Sequence, residues 1–269
     1  RVFTIGTSFV RDIEDSLSDS FIFPVKDYQS QANEYKGNRP RDILNLFTPR
    51  CILTELEWLV NIDQAEVDFE TATSERFLYK RDNRRGVIDI GLQPQRPVTA
   101  KRFWERRRHI YSVLENLLNV GCVVITLGQV EQLYFDETSV QNGPKGEQFL
   151  PDDNSFYWEA TSHSDTENLL SGIIEIVNYL NPRAKVILMV SPEPFEHTLT
   201  SDHIYVANAR SKSRLMSAAH SVVGENVDYF PSYEIIGLMG SEAYYPDRQS
   251  LKSSAVDLVC KEFTRGYLR

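Results

Sequence analysis

The chain has 269 residues, 41% of them hydrophobic, enough to build one large α/β domain around a substantial core. Its net charge of −9 excludes the concentrated Lys/Arg surface that binding to nucleic acid or an anionic membrane requires. No apolar run approaches the roughly 18 residues of a membrane-spanning helix, so no membrane insertion is expected.

The first thirteen residues, RVFTIGTSFVRDI, are the most informative stretch. Residues 2–5 predict a β-branched strand. Gly6-Thr7-Ser8 follow as a tight turn, and an amphipathic segment begins at once. A serine there faces the C-terminal edge of a parallel sheet, where open α/β folds bind ligands. It also lies where helix N–H groups favour a developing oxyanion. Two readings of Ser8 stand side by side at this point: an N-cap residue, the commoner role, and a nucleophile. The chain opens abruptly in this strand, as a domain cut from a longer protein would, and no leader-like segment is read.

Residues 19–98 are irregular and rich in Arg, Asp, Asn and Pro, with one helix predicted over 48–60 from Ile52, Leu56, Leu59 and Val60. A helix is predicted over 99–119, carrying Phe103, Ile110, Val113, Leu114 and Leu117 at helical spacing. Lys101, Arg102, Arg106, Arg107 and Arg108 on it read as a solvated basic face, with a phosphate site as the lesser alternative. Residues 120–127, VGCVVITL, predict a second strand, continuous and apolar as a strand buried on both faces should be. Residues 136–161 are a polar insertion after it, read either as a binding loop or as disorder.

A helix over 165–180 places Leu169, Ile173, Ile176 and Val177 on one face, and Asn181-Pro182 ends it. Strand three is predicted at 184–190 and strand four at 227–230. Helices are predicted at 207–223 and 253–263. This alternation indicates parallel βαβ units with right-handed crossovers in a single domain over 1–269. Cys51, Cys122 and Cys260 are far apart and have no metal-ligand spacing. They read as reduced structural thiols in a cytoplasmic, reducing compartment, with no metal site.

Each strand exit carries a polar cluster: Gly6-Thr7-Ser8, Gly128-Gln129-Val130-Glu131, Ser191-Pro192-Glu193-Pro194, and Pro231-Ser232-Tyr233-Glu234. Asp247 to Ser250 precede the last helix. In order and spacing these blocks resemble the GSCFA family, a branch related to the SGNH (GDSL-like) hydrolases. Its eponymous block reads Gly6-Thr7-Ser8-Phe9-Val10 here. Its T-L-G-x-x-E block is Thr126 to Glu131, and its V-S-P-x-P block is Val190 to Pro194. Ala207-Asn208, Ser211-Lys212 and Leu215 follow, and Y-F-P-S-Y-E is Tyr229 to Glu234 unchanged.

The resemblance implies a three-layer α/β/α sandwich with a parallel five-stranded sheet, SGNH-hydrolase-like (flavodoxin-like). It implies Ser8 as nucleophile, in a position that is Cys in the eponymous block. Gly6, Thr7, Gly128, Gln129, Glu131, Ser191, Asn208 and Lys212 would line a substrate site. An ionised Glu131 cannot donate a hydrogen bond, so its expected role is positioning, substrate binding, or holding Lys212 or an arginine. Asn208, Ser211 and Lys212 read equally as an anion- or carbonyl-binding group and as a cap with a solvated lysine. Tyr233-Glu234 read equally as site residues and as packing with a surface carboxylate.

Asp247 matches the aspartate of the family's D-x-x-H block, but the histidine slot holds Ser250. A serine is no base near pH 7, and losing a general base removes about 10²- to 10⁴-fold of rate. Three explanations are open: a binding domain without catalysis, His197 as a surrogate base, or a serine introduced to trap a complex. His197 reads equally as an exposed loop histidine, and Ser250 as a helix N-terminal residue.

The function so implied is serine acyl transfer on an ester of a bacterial surface glycan, to water or to a sugar hydroxyl. The alternative is a pseudoenzyme or glycan-binding module that keeps the pocket. Hydrolysis needs no cofactor. A transferase would need an acyl donor such as acetyl-CoA, and no phosphate-cradling Gly-rich loop is present. The expected partner is a glycan or small ester, and oligomeric state is open.

Overall fold

The computed structural model describes every residue except 32–33, 36–37, 65–67, 81–85, 94–95, 136–137, 141–155 and 268–269. In chain order the elements are β1 (Val2–Gly6), α1 (Ser8–Ser16), α2 (Pro49–Asp63), α3 (Phe69–Phe77), β2 (Leu78–Tyr79), β3 (Ile88–Asp89) and α4 (Ala100–Leu114). Then come β4 (Cys122–Leu127), β5 (Glu131–Phe135), β6 (Thr138–Val140), β7 (Phe156–Ala160), α5 (His163–Leu180) and β8 (Lys185–Val190). The last are α6 (Ile204–Ser221), β9 (Val227–Tyr229), α7 (Ser232–Met239) and α8 (Ser253–Tyr267).

The central sheet runs β1-β4-β8-β9, and every neighbouring pair is parallel. Its strands alternate between two cores because successive side chains leave a strand on opposite faces. Phe3, Ile5, Val123, Ile125, Leu127, Val186, Leu188 and Val190 face α2, α4, α5 and α6. Val2, Val124, Ile187 and Met189 face α1, α7 and α8. This is the α/β/α layering that the family resemblance implies.

The sheet has four strands among the described residues, where the resemblance implied five. The outer edge of β1 is met instead by irregular chain. Val2 N–H donates to Ile22 O at 3.0 Å, and Leu46 N–H donates to Gly6 O at 2.8 Å. Pro24 and Pro40 open short 3₁₀ turns here, and a proline supplies no N–H for a continuing ladder. The polar insertion, in turn, begins earlier than the sequence suggests. Strands β6-β5-β7 form a separate antiparallel sheet that leaves directly from the exit of β4. The remainder of 136–161, residues 136–137 and 141–155, lies outside the described residues.

The basic face of α4 is not solvated throughout. Arg106 and Arg107 are fully buried, Arg102 pairs with Glu34, and only Lys101 and Arg108 of the group remain exposed. The inward stripe of Phe103, Ile110, Val113 and Leu114 carries positions 106 and 107 with it, and carboxylates from elsewhere meet them. Arg107 donates to both oxygens of Glu55, at 3.0 and 2.9 Å, and to Asp89 at 2.7 Å. Its guanidinium lies 3.5 Å from the Phe77 ring centre. Arg107→Ala would strip buried Glu55 of the guanidinium it hydrogen-bonds and leave Asp89 with the more distant Arg106 at 3.9 Å, at a cost of about 3–5 kcal/mol. Urea unfolding of this variant is expected to show a correspondingly lower midpoint with an unchanged slope.

Candidate active site

The site begins at the end of β1. Gly6 has φ +130°, and a Cβ there would lie 2.1 Å from Thr126 O on β4, so only glycine fits. The chain then turns at Thr7, whose N–H donates to Thr126 Oγ1 at 2.8 Å. Thr7, not Ser8, stands at the N-cap of α1. Ser8 is the first helical residue, and its hydroxyl is free of capping. It donates instead to Glu193 Oε2, at 2.7 Å.

Ser8 and Glu193 share a cavity of about 170 Å³ at the C-terminal edge of the sheet. Thr7, Gly128, Gln129, Ser191, Lys212 and Ser250, all singled out in the sequence, also line it. So do Phe47, Phe195 and Gln249. Lys212 is fully buried, donates to Gly128 O at 2.8 Å, and sits 5.7 Å from the Phe195 ring centre. Burial pulls its ammonium down to about 7, against the opposing charge of Glu193. Burial likewise raises the Glu193 carboxyl above its usual range, while the Ser8 hydrogen bond and Lys212 pull it back.

Other expected site residues lie outside the cavity wall. Gly6 is beneath the turn. Glu131 accepts from Thr198 Oγ1 at 2.7 and 2.9 Å and from Leu199 N–H at 2.7 Å, with Arg210 at 3.9 Å. It therefore ties down the loop after β8, and Lys212 bonds elsewhere. Asn208 Oδ1 accepts from Phe195 N–H at 3.2 Å in the same loop. His197 is exposed and does not line the cavity. Asp247 is exposed and accepts from the N–H groups of Gln249 and Ser250, at 2.9 and 3.0 Å. Those donors hold its carboxyl below the ordinary range. It closes its own turn and has no imidazole to orient. Glu234 accepts from the Tyr229 hydroxyl at 2.9 and 3.0 Å.

The N–H of Gly128, one of the expected substrate-site residues, is already used. It and Gln129 N–H both donate to Phe47 O, each at 3.0 Å. Ser8 N–H has no acceptor among the described residues, as expected for the first turn of a helix. Among the described residues no cluster of His, Cys, Asp and Glu is placed to hold a metal ion. None of the three cysteines is in a disulfide, and the Cys51 thiol donates to Gln132 Oε1 at 3.3 Å.

Sequence reasoning missed Glu193 and Phe47. Glu193 was only the variable position of V-S-P-x-P. Its signal was an acid between two prolines, straight after a buried strand, in a chain whose histidine slot is vacant.

The model of the GSCFA family matches residues 1–263. The chain belongs to the GSCFA family. No curated protein matches it in sequence. Among solved structures, a carbohydrate esterase family 3 enzyme from Talaromyces cellulolyticus is 10% identical with a TM-score of 0.41, over 99% of this chain and 95% of that one. An acetyl esterase mutant with an acetate ion is also 10% identical, with a TM-score of 0.40 and the same coverages. A peptidoglycan O-acetylesterase is 13% identical with a TM-score of 0.35, over 58% of this chain and 39% of that one. This GSCFA chain thus spans well under half of that last protein.

The turn that places Ser8 at the cavity of this GSCFA chain allows a direct check. Gly6→Ala forces both a clash with Thr126 O and a left-handed backbone on alanine. It is expected to destabilise the fold by about 3 kcal/mol or more. Thermal unfolding followed by circular dichroism measures the loss.

Proposed function

We propose that this GSCFA chain is a serine acyl hydrolase or O-acyltransferase acting on an ester carried by a glycan, with Ser8 as nucleophile. The observation that supports it is the Ser8 hydroxyl, released from capping and held 2.7 Å from a carboxylate in a polar cavity. Ser8 N–H, at the start of α1, is available to a developing oxyanion. Buried Lys212, its ammonium pulled down to about 7, lines the wall, and the sheet edge supplies access. Hydrolysis in such a site needs only water. Transfer to a sugar hydroxyl would need an acyl donor such as acetyl-CoA.

A binding module without catalysis is the second reading. It is favoured by Ser250 in the histidine slot and by an Asp247 spent on its own turn. Among the described residues no helix is long and apolar enough to cross a membrane, and none of the three cysteines is in a disulfide, which is consistent with a reducing compartment.

Two measurements separate the readings. The wild type is expected to be labelled by a fluorophosphonate probe and to hydrolyse p-nitrophenyl acetate, and Ser8→Ala to lose labelling and about 10³-fold of rate or more. An unlabelled wild type that an acetylated glycan stabilises thermally would establish the binding module. Ser250→His places an imidazole beside Asp247 and is expected to raise esterase activity about tenfold or more. No gain would count against a triad geometry at these positions.

A further inference from the structure

We propose that Glu193 is the proton acceptor for Ser8, a carboxylate–serine dyad standing where the family's histidine is missing. This rests on the serine acyl-transfer reading above and names the group that reading lacks. The chain contains five histidines, and none lines the cavity. His109 stacks on Tyr28, His163 and His197 are exposed, His203 caps α6, and His220 packs on Tyr229 at the far end of that helix. Glu193, by contrast, already receives the Ser8 hydrogen bond at 2.7 Å.

Its carboxylate is also held in place. Glu193 N–H donates to Ser191 Oγ at 3.3 Å, and Ser191 Oγ lies 3.4 Å from Oε2. Pro192 and Pro194 fix φ on either side, and the Tyr244 hydroxyl donates to Pro192 O at 3.0 Å. Glu131 anchors the same loop further on. A preorganised acceptor loses little entropy when the reaction begins.

The step balances without a co-reactant other than water. Ser8 Oγ bonds to the acyl carbon as its proton passes to Glu193 Oε2. The bond from the acyl carbon to the leaving alkoxide breaks, and Glu193 returns the proton to that oxygen. Water then attacks the acyl-serine, its proton passing through Glu193 back to Ser8 Oγ, and the carboxylic acid leaves.

The groups that face Glu193 are Ser8 and Asp12 from α1, Ser191 from its own loop, Lys212 from α6, and Tyr244. Burial and Asp12 raise its proton affinity, and Lys212 lowers it. A carboxyl raised toward neutrality is a stronger base than an ordinary one. Only the ionised form accepts the Ser8 proton, so the rate rises with pH through the Glu193 titration. Lys212 is a positioning residue in this scheme, its charge keeping Glu193 ionised.

The test uses p-nitrophenyl acetate hydrolysis and fluorophosphonate labelling of the whole chain. Glu193→Gln keeps the shape and is expected to slow both by about 100-fold or more, with an unchanged circular dichroism spectrum. The acid limb of the kcat/KM profile seen in wild type should vanish from the residual activity. Glu193→Ala gives a second readout, since added sodium formate should restore rate by supplying the carboxylate. A Gln or Ala variant that reacts as fast as wild type, while Ser8→Ala does not, overturns the dyad and leaves Ser8 as nucleophile. A wild type that does not react at all overturns both readings together.

Discussion

The close approach of Gly6 to Thr126 governs where everything else in the site can be. A residue without a side chain lets β1 lie against β4 through its last pair, where even a methyl group would meet a carbonyl oxygen at 2.1 Å. Thr126 Oγ1 then takes the next N–H, from Thr7, and turns the chain into α1 with no intervening loop. Ser8 arrives at the sheet edge as a consequence of that geometry. Because Thr7 has taken the cap position, the hydroxyl of Ser8 is left for chemistry.

The irregular segment between α1 and α4 is the second determinant, and buried charge holds it. Glu14 on α1 accepts from Arg11, from Arg41 at 2.6 Å and from Thr4 at 2.5 Å, while Arg11 also donates to Asn45 at 2.9 Å. This network draws residues 41–46 against the open edge of β1, in place of a fifth strand. Leu46 then bonds Gly6 O, and the next carbonyl, Phe47 O, collects the N–H groups of Gly128 and Gln129. Such a network is a weak source of net stability, because desolvating the charges offsets most of their attraction. Its directional bonds nevertheless fix one backbone path. That path forms a wall of the cavity and removes a pair of N–H donors from it.

The cavity thereby differs from the arrangement its family resemblance implied. The D-x-x-S turn is closed on itself, and the loop after β8 contributes the group that meets Ser8. Lys212 is buried and Glu193 half-buried, and the two form no direct ion pair, so desolvation shifts each toward neutrality. Such shifts are common where proton transfer occurs, although structural charge networks produce them too. The distinguishing fact here is that one of the pair accepts a hydrogen bond from the serine.

Residue order alone determined the layered α/β scaffold and the position of Ser8. Short, β-branched runs such as 123–127 and 186–190, bounded by turn residues, read as strands buried on both faces, and the Leu and Ile spacings of α4 and α5 specify their inward stripes. Those are local periodicities, readable without knowing what they pack against. Tertiary structure alone decided that Arg106 and Arg107 are interior, that chain near Ile22 and Leu46 replaces an edge strand, and that Glu193 reaches Ser8 across 185 positions of sequence. Each of these depends on a partner distant in sequence, and an arginine or glutamate carries no sign of whether its counterpart will be water or another side chain.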